Sequence, residues 1–89
     1  MKSFITVIGK DTVGIIAAIA NILADRNVNI LDINQTVMND MFTMIMMVDT
    51  SELEGPFSVL SEKLTDYGRQ NGLSVRIQRE EIFNSMHRI

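Results

Sequence analysis

The stretch Phe4-Ile5-Thr6-Val7-Ile8-Gly9-Lys10-Asp11-Thr12-Val13-Gly14-Ile15 leaves fewer options than any other in this 89-residue chain. β-Branched and aromatic residues run unbroken to Gly9, a composition that suits a strand better than a helix. After Gly14 the apolar spacing changes: Ile15, Ile19, Ile22 and Leu23 fall at i, i+4, i+7 and i+8, one face of a helix. Apolar side chains lie on both faces of the strand, Ile5 and Val7 on one and Phe4 and Ile8 on the other, so it belongs in the middle of a sheet. A strand that passes through a short turn into a helix gathers free backbone N–H groups and the positive end of a helix dipole at one spot. Small residues there, Gly9 and Gly14, let a ligand approach the backbone. This turn is the expected functional end of the molecule.

The remaining pattern can be read in chain order. The first strand is expected over 3–9 and the first helix over 13–26, with Asp11 or Thr12 capping its free N–H groups. A second strand is expected over 28–38, with Ile33, Gln35 and Val37 on one face and Asp32, Asn34 and Thr36 on the other. Asn39-Asp40 tolerates left-handed backbone and reads as a tight hairpin turn. The third strand, 41–49, turns Phe42, Met44, Met46 and Val48 one way and Thr43, Ile45 and Met47 the other. After the loop 50–56, Pro56 suits the first turn of a second helix, whose stripe is Phe57, Leu60, Leu64 and Tyr67 and which Asn71-Gly72 closes. The fourth strand, 73–79, places Leu73, Val75 and Ile77 inward. Ile82, Phe83, Met86 and Ile89 then suggest a short amphipathic tail.

The order β-α-β-β-α-β with right-handed crossovers predicts a single α+β domain over 1–89. It is a ferredoxin-like sandwich, with antiparallel sheet order 4-1-3-2 and both helices on one face. Composition narrows what such a fold can do. The formal net charge is −3 with no basic cluster, which argues against a nucleic-acid surface. There is no cysteine, so disulfides, thiolate metal sites and cysteine nucleophiles are excluded. No apolar run approaches the roughly 20 residues needed to span a bilayer, and Met1-Lys2-Ser3 leads straight into a strand pattern. A soluble, cytoplasmic protein without cofactor or metal is expected.

Four occupants of this fold can be tested against the residues. Metal carriers place paired cysteines in the first turn, and none is present. Acyl-phosphate hydrolases hold phosphate with an arginine in that turn, which here carries Lys10. RNA binders stack bases on aromatics in the central strands, where Phe42 stands among methionines. The fourth fits: Gly9-Lys10-Asp11-Thr12-Val13-Gly14-Ile15 and Ala24-Asp25-Arg26-Asn27-Val28-Asn29-Ile30 resemble the ACT domain, a ligand-sensing module of amino-acid metabolism. The family's usual turn looks like Asp-Arg-Pro-Gly-Leu, from which this chain departs at Thr12 and Val13. Gln35-Thr36-Val37 and Ile82-Phe83 make it similar to the free-standing single ACT-domain proteins of bacteria, a family of small uncharacterised proteins.

The resemblance implies domains paired through an edge strand, with an amino-acid effector between the first turn of one copy and the start of strand two of the next. Carried over by position, the ligand-binding residues are Asp11, Thr12, Val13, Gly14 and Ile15 on one side and Asn29 and Ile30 on the other. Each has a plainer reading. Asp11 suits helix capping better than ligand contact, Gly14 could serve helix packing, and Asn29 could be a loop-to-strand residue. The methionines at 38, 41, 44, 46 and 47 are core or interface filler, and His87 in the tail has no catalytic companions. Phe4 with Ile8, and Ile45 with Met47, face away from the helices and call for a homodimer. The expected function is a non-catalytic regulatory module that binds an amino acid or related metabolite. The alternatives are a protein-interaction adaptor whose partner is another protein and, further off, a small acyl-phosphatase-type enzyme.

Overall fold

A computed structural model describes residues 1–10 and 13–86, the side chains of Phe83, Ser85 and Met86 excepted. Its elements are β1 (Lys2–Lys10), α1 (Ile15–Asp25), β2 (Asn29–Met38), β3 (Met41–Asp49), α2 (Phe57–Asn71), β4 (Leu73–Arg79) and α3 (Glu80–Met86). The four strands form one sheet in the order β2-β3-β1-β4, with every neighbouring pair antiparallel. This is the expected ferredoxin-like order. β1 takes the central place that its two apolar faces require. Among the described residues, no helix is long and apolar enough to cross a membrane.

One face of the sheet carries the core. Ile5 and Val7 of β1, Phe42, Met44, Met46 and Val48 of β3, and Leu73, Val75 and Ile77 of β4 are buried against Ile15, Ile19 and Leu23 of α1 and Leu60 and Leu64 of α2. The strand periods expected from the sequence therefore hold, because a period of two sends alternate side chains to the helices. On the other face Ile8 and Ile45 are exposed, while Phe4 and Met47 are half-buried. Asn39 and Asp40 both have positive φ, 51° and 65°, as a two-residue turn matched to the twist of a hairpin requires.

The differences from the sequence reading lie at element ends. α1 begins at Ile15, not at residue 13, because Gly14 has φ 89° and ψ 6°, outside the helical region. Gly14 itself occupies the N-cap position and no side-chain hydrogen bond caps the helix. Asp11 and Thr12, the expected caps, lie outside the described residues, as do His87 and Ile89. The far end stops at Asp25, where Asn27 follows with φ 59°. Pro56 stands one step ahead of its expected place, at the N-cap of α2 with extended backbone. β2 carries a bulge between Ile30 and Asp32, which lets Ile30 and Ile33 both pair with helix-facing residues of β3, Val48 and Met46. The tail is a helix that starts directly after β4 and packs on β1 and β4, with Glu80 and Glu81 in its first turn.

Candidate functional site

Gly14 is a glycine for conformational reasons, since at φ 89° a side chain is strained. Packing is not the reason: a Cβ built there meets nothing within 4 Å. Gly9 is the opposite case. A Cβ at Gly9 would come 2.5 Å from Leu73 Cδ2 and 3.0 Å from the Gly72 carbonyl oxygen, so its missing side chain makes room for β4 and not for a ligand.

Next to Gly14 the first turn of α1 stands over the end of the β2–β3 hairpin and leaves a groove of about 300 Å³. Gly14, Ile15, Ile16 and Ala17 form one wall and Gln35, Val37 and Phe42 the other. Val13, beside Gly14 in the chain, is fully exposed. Gln35 and Val37 pair with Met44 and Phe42 across the hairpin, which fixes both on the helix-facing side. The sequence reading did not single out Gln35, Val37 and Phe42 as site residues. The signal that could have found them is the Asn39-Asp40 turn, because a two-residue turn sets the register that brings Val37 opposite Phe42.

Asn29 and Ile30 are elsewhere. Asn29 pairs with Asp49, which in turn pairs with Lys2, whereas Met38 pairs with Met41 and Met41 with Lys10. The start of β2 is therefore level with the start of β1, about 27 Å along the strands from the α1 turn at the usual rise per residue. Asn29 lines a second concavity of about 460 Å³ with Asn27, Asp49 and Glu52, while Ile30 packs against the core. Within one chain the expected ligand residues thus form two sets at opposite ends of the sheet, Val13, Gly14 and Ile15 at one and Asn29 and Ile30 at the other.

The Asn29 end carries a fixed negative charge. The Asp49 carboxylate accepts hydrogen bonds from the Ser51 hydroxyl at 2.6 Å and the Ser51 N–H at 2.9 Å, and lies 3.4 Å from the Met1 ammonium. The Ser51 hydroxyl, then its N–H, then the ammonium hold this carboxyl at about 2, against an ordinary 3.8. A third groove, about 560 Å³, runs between α1 and α2 and is lined by Ile22, Asp25, Arg26, Lys63, Asp66, Tyr67 and Gln70, none of them a residue expected from the sequence. No group of three or more His, Cys, Asp or Glu side chains suited to a metal ion occurs among the described residues.

Comparison with known proteins gives a consistent picture. A family model described as the ACT domain matches residues 4–78. A UPF0237 protein of Clostridium acetobutylicum is 52% identical over 89 residues, with the whole of both chains covered. Among solved structures, an ACT domain protein from Streptococcus pneumoniae superimposes with a TM-score of 0.78 at 37% identity, covering 93% of each chain. The regulatory subunit of aspartate kinase from Thermus thermophilus shares the fold at 23% identity, with a TM-score of 0.66, 86% of this chain covered and 50% of that one.

Proposed function

The chain belongs to the ACT domain family, and from that premise we propose that it is a regulatory module that binds an amino acid or related metabolite between two copies of itself. The observation that carries this reading is the separation of the two residue sets along one free strand. β2 is an edge strand, with β3 on one side only, and it exposes Leu31, Ile33, Val37 and Met38. An exposed apolar edge invites pairing with another strand. If two β2 edges pair antiparallel about a two-fold axis with full overlap, Asn29 and Ile30 of the second copy stand beside Met38 and Val37 of the first. Each end of the double sheet then unites Gly14 and Ile15 with Asn29 and Ile30 across the pair.

The chemistry of that union suits an amino acid. N–H groups at the start of α1 can receive a carboxylate, and the Asn29 amide oxygen can accept from an ammonium. A ligand that needs both copies favours the paired state and so carries a signal in the form of quaternary structure. Output then passes to another protein, an enzyme or a regulator, that recognises the pair.

A thermal-shift screen against the twenty amino acids tests the reading. A ligand at 100 times its dissociation constant adds about 2.7 kcal/mol, and each kcal/mol moves the midpoint of a domain this small by roughly 4–8 °C. The expected result is a shift of about 10–20 °C with one class of amino acid, lost in the Asn29→Ala variant. A flat response to all twenty contradicts it and favours the adaptor reading, for which the exposed Ile8 and Ile45 on the open sheet face are the observation.

A further inference from the structure

We propose that the free edge of β4 docks an extended acidic segment of another protein, which joins the sheet as an added strand and is recognised by Arg69 and Arg76. This surface lies at the opposite edge of the sheet from β2, so the inference stands apart from the amino-acid reading above. β4 ends the sheet order, with β1 on one side only. No described element pairs with its outer side, so a row of backbone N–H and C=O groups faces solvent there. A strand edge of this kind takes up extended segments through backbone hydrogen bonds, and the flanking side chains set which segment fits.

Those flanking side chains are basic. Beside the edge runs a groove of about 430 Å³ between α2 and β4, lined by Thr65, Arg69, Leu73, Ser74, Val75 and Arg76. Its described lining holds two guanidinium groups, two hydroxyls and no acid. The arginines stand on either side of the strand. Gly68 packs against Leu73 and Val75, which brings Arg69 to the helix side. Arg76 pairs with Thr6 and falls between the buried Val75 and Ile77, so it belongs to the open face. Both arginines are exposed.

The chain's own acids do not fill this place. Asp66 lies 3.3 Å from Arg69, yet both side chains are solvent-exposed, and such a pair holds the arginine weakly. Asp66 lines the groove on the α1 side of α2 instead. Glu80 and Glu81 gather with Lys2 and Arg79 at the far end of β4, where the Arg79 guanidinium is already seated on the Phe57 ring. Glu62, exposed on α2, lies outside the groove's lining. A carboxylate on an incoming strand therefore meets Arg69 and Arg76 with hydrogen-bond donors to spare. A basic strand meets like charge, and an apolar strand strips water from both guanidiniums without replacing it. A second copy of this chain fits poorly. Its other free strand, β2, has Asp32 as its single charged residue, and β2 on β4 is a head-to-tail contact that runs on into rings or filaments.

An incoming strand turns alternate side chains to the two faces, so contact with both arginines calls for acids an odd number of positions apart. Three synthetic peptides of valine and threonine test this. The first carries two glutamates at neighbouring positions, the second carries them two positions apart, and the third is the first with lysine for glutamate. Each is titrated into the wild-type protein, Arg69→Gln and Arg76→Gln and followed by backbone amide NMR, with melting and sedimentation as controls of fold and mass. The expected result is that the first peptide binds best and shifts the amides of β4 but not those of β2. Either substitution weakens it about tenfold with melting and mass unchanged, Arg76→Lys restores part of the loss, and added salt weakens it further. No binding of either glutamate peptide, equal binding of the lysine peptide, indifference to spacing or to both substitutions, or shifts centred on β2 overturns the inference. A fall in mass in Arg76→Gln makes a second copy the occupant and overturns it as well. None of these outcomes bears on the amino-acid reading, which rests on β2.

Discussion

The two edges of the sheet are built on opposite principles. Along β4, α2 lies so close that the chain must omit side chains: a Cβ at Gly68 would stand 2.6 Å from the Leu73 carbonyl oxygen and 2.9 Å from Val75 Cγ2. Leu73, Val75 and Ile77 are buried, while Arg76 and Arg79 are exposed, and the Arg79 guanidinium lies 4.6 Å from the centre of the Phe57 ring. β2 is longer, yet every residue from Leu31 to Met38 is exposed, four of them large and apolar. Both are edge strands, but a helix covers the inner side chains of β4 and leaves those of β2 from Leu31 to Met38 exposed. The difference teaches that burial on this sheet is a statement about coverage by the helices. The candidate binding groove belongs to the side where coverage runs out.

Substitutions on the covered side should have the largest effects. Leu64 is fully buried, and Leu64→Ala is expected to cost about 2–5 kcal/mol in urea unfolding. Gly68→Ala forces α2 away from β4 and is expected to cost about 1–3 kcal/mol. A value near zero for either would mean that the covered edge is looser than its contacts imply. Ser3 marks a place where coverage goes too far: it pairs with Arg79, is fully buried, and its hydroxyl has no hydrogen-bond partner. Removing an unsatisfied buried hydroxyl should therefore stabilise, by up to about 1 kcal/mol for Ser3→Ala.

Smaller effects are expected on the open side. The double variant Ile33→Thr, Val37→Thr keeps β-branched residues on a strand and should cost the isolated chain less than about 1 kcal/mol. Its consequence is expected in self-association, read by sedimentation over a dilution series. Acid sensitivity is the smallest term. Asp49 titrates lower in the folded chain than in the unfolded one, so its contribution is complete above about 3.8 and is lost as pH falls through about 2. Asp49→Asn should flatten that part of the acid-unfolding profile, and a profile of unchanged slope would show that the Ser51 hydrogen bonds do not form in solution.

Much of this architecture is legible in the sequence because it rests on period and turn chemistry. The alternation of Leu73, Val75 and Ile77 places β4's inner face, and Asn39-Asp40 places the hairpin. What escaped the sequence depends on geometry that no local pattern carries. The bulge at Leu31 depends on pairing with β3, and the late start of α1 depends on the positive φ of Gly14. The groove is half legible: Gly14 and Ile15 announce themselves as a turn into a helix, while Gln35 and Phe42 join them only once the hairpin folds under α1. The remoteness of Asn29 from Gly14 follows from the direction of β2, a property of topology and not of either residue.

The central claim is that β2 is completed by a second β2. Amide hydrogen exchange on the wild-type protein, at high concentration and after dilution, tests it most directly. The N–H groups of β2 that point away from β3 should be protected at high concentration and exchange rapidly on dilution, while the outward N–H groups of β4 exchange rapidly at both. Rapid exchange along the free side of β2 at the highest concentration would contradict the claim and leave the two halves of the candidate site apart.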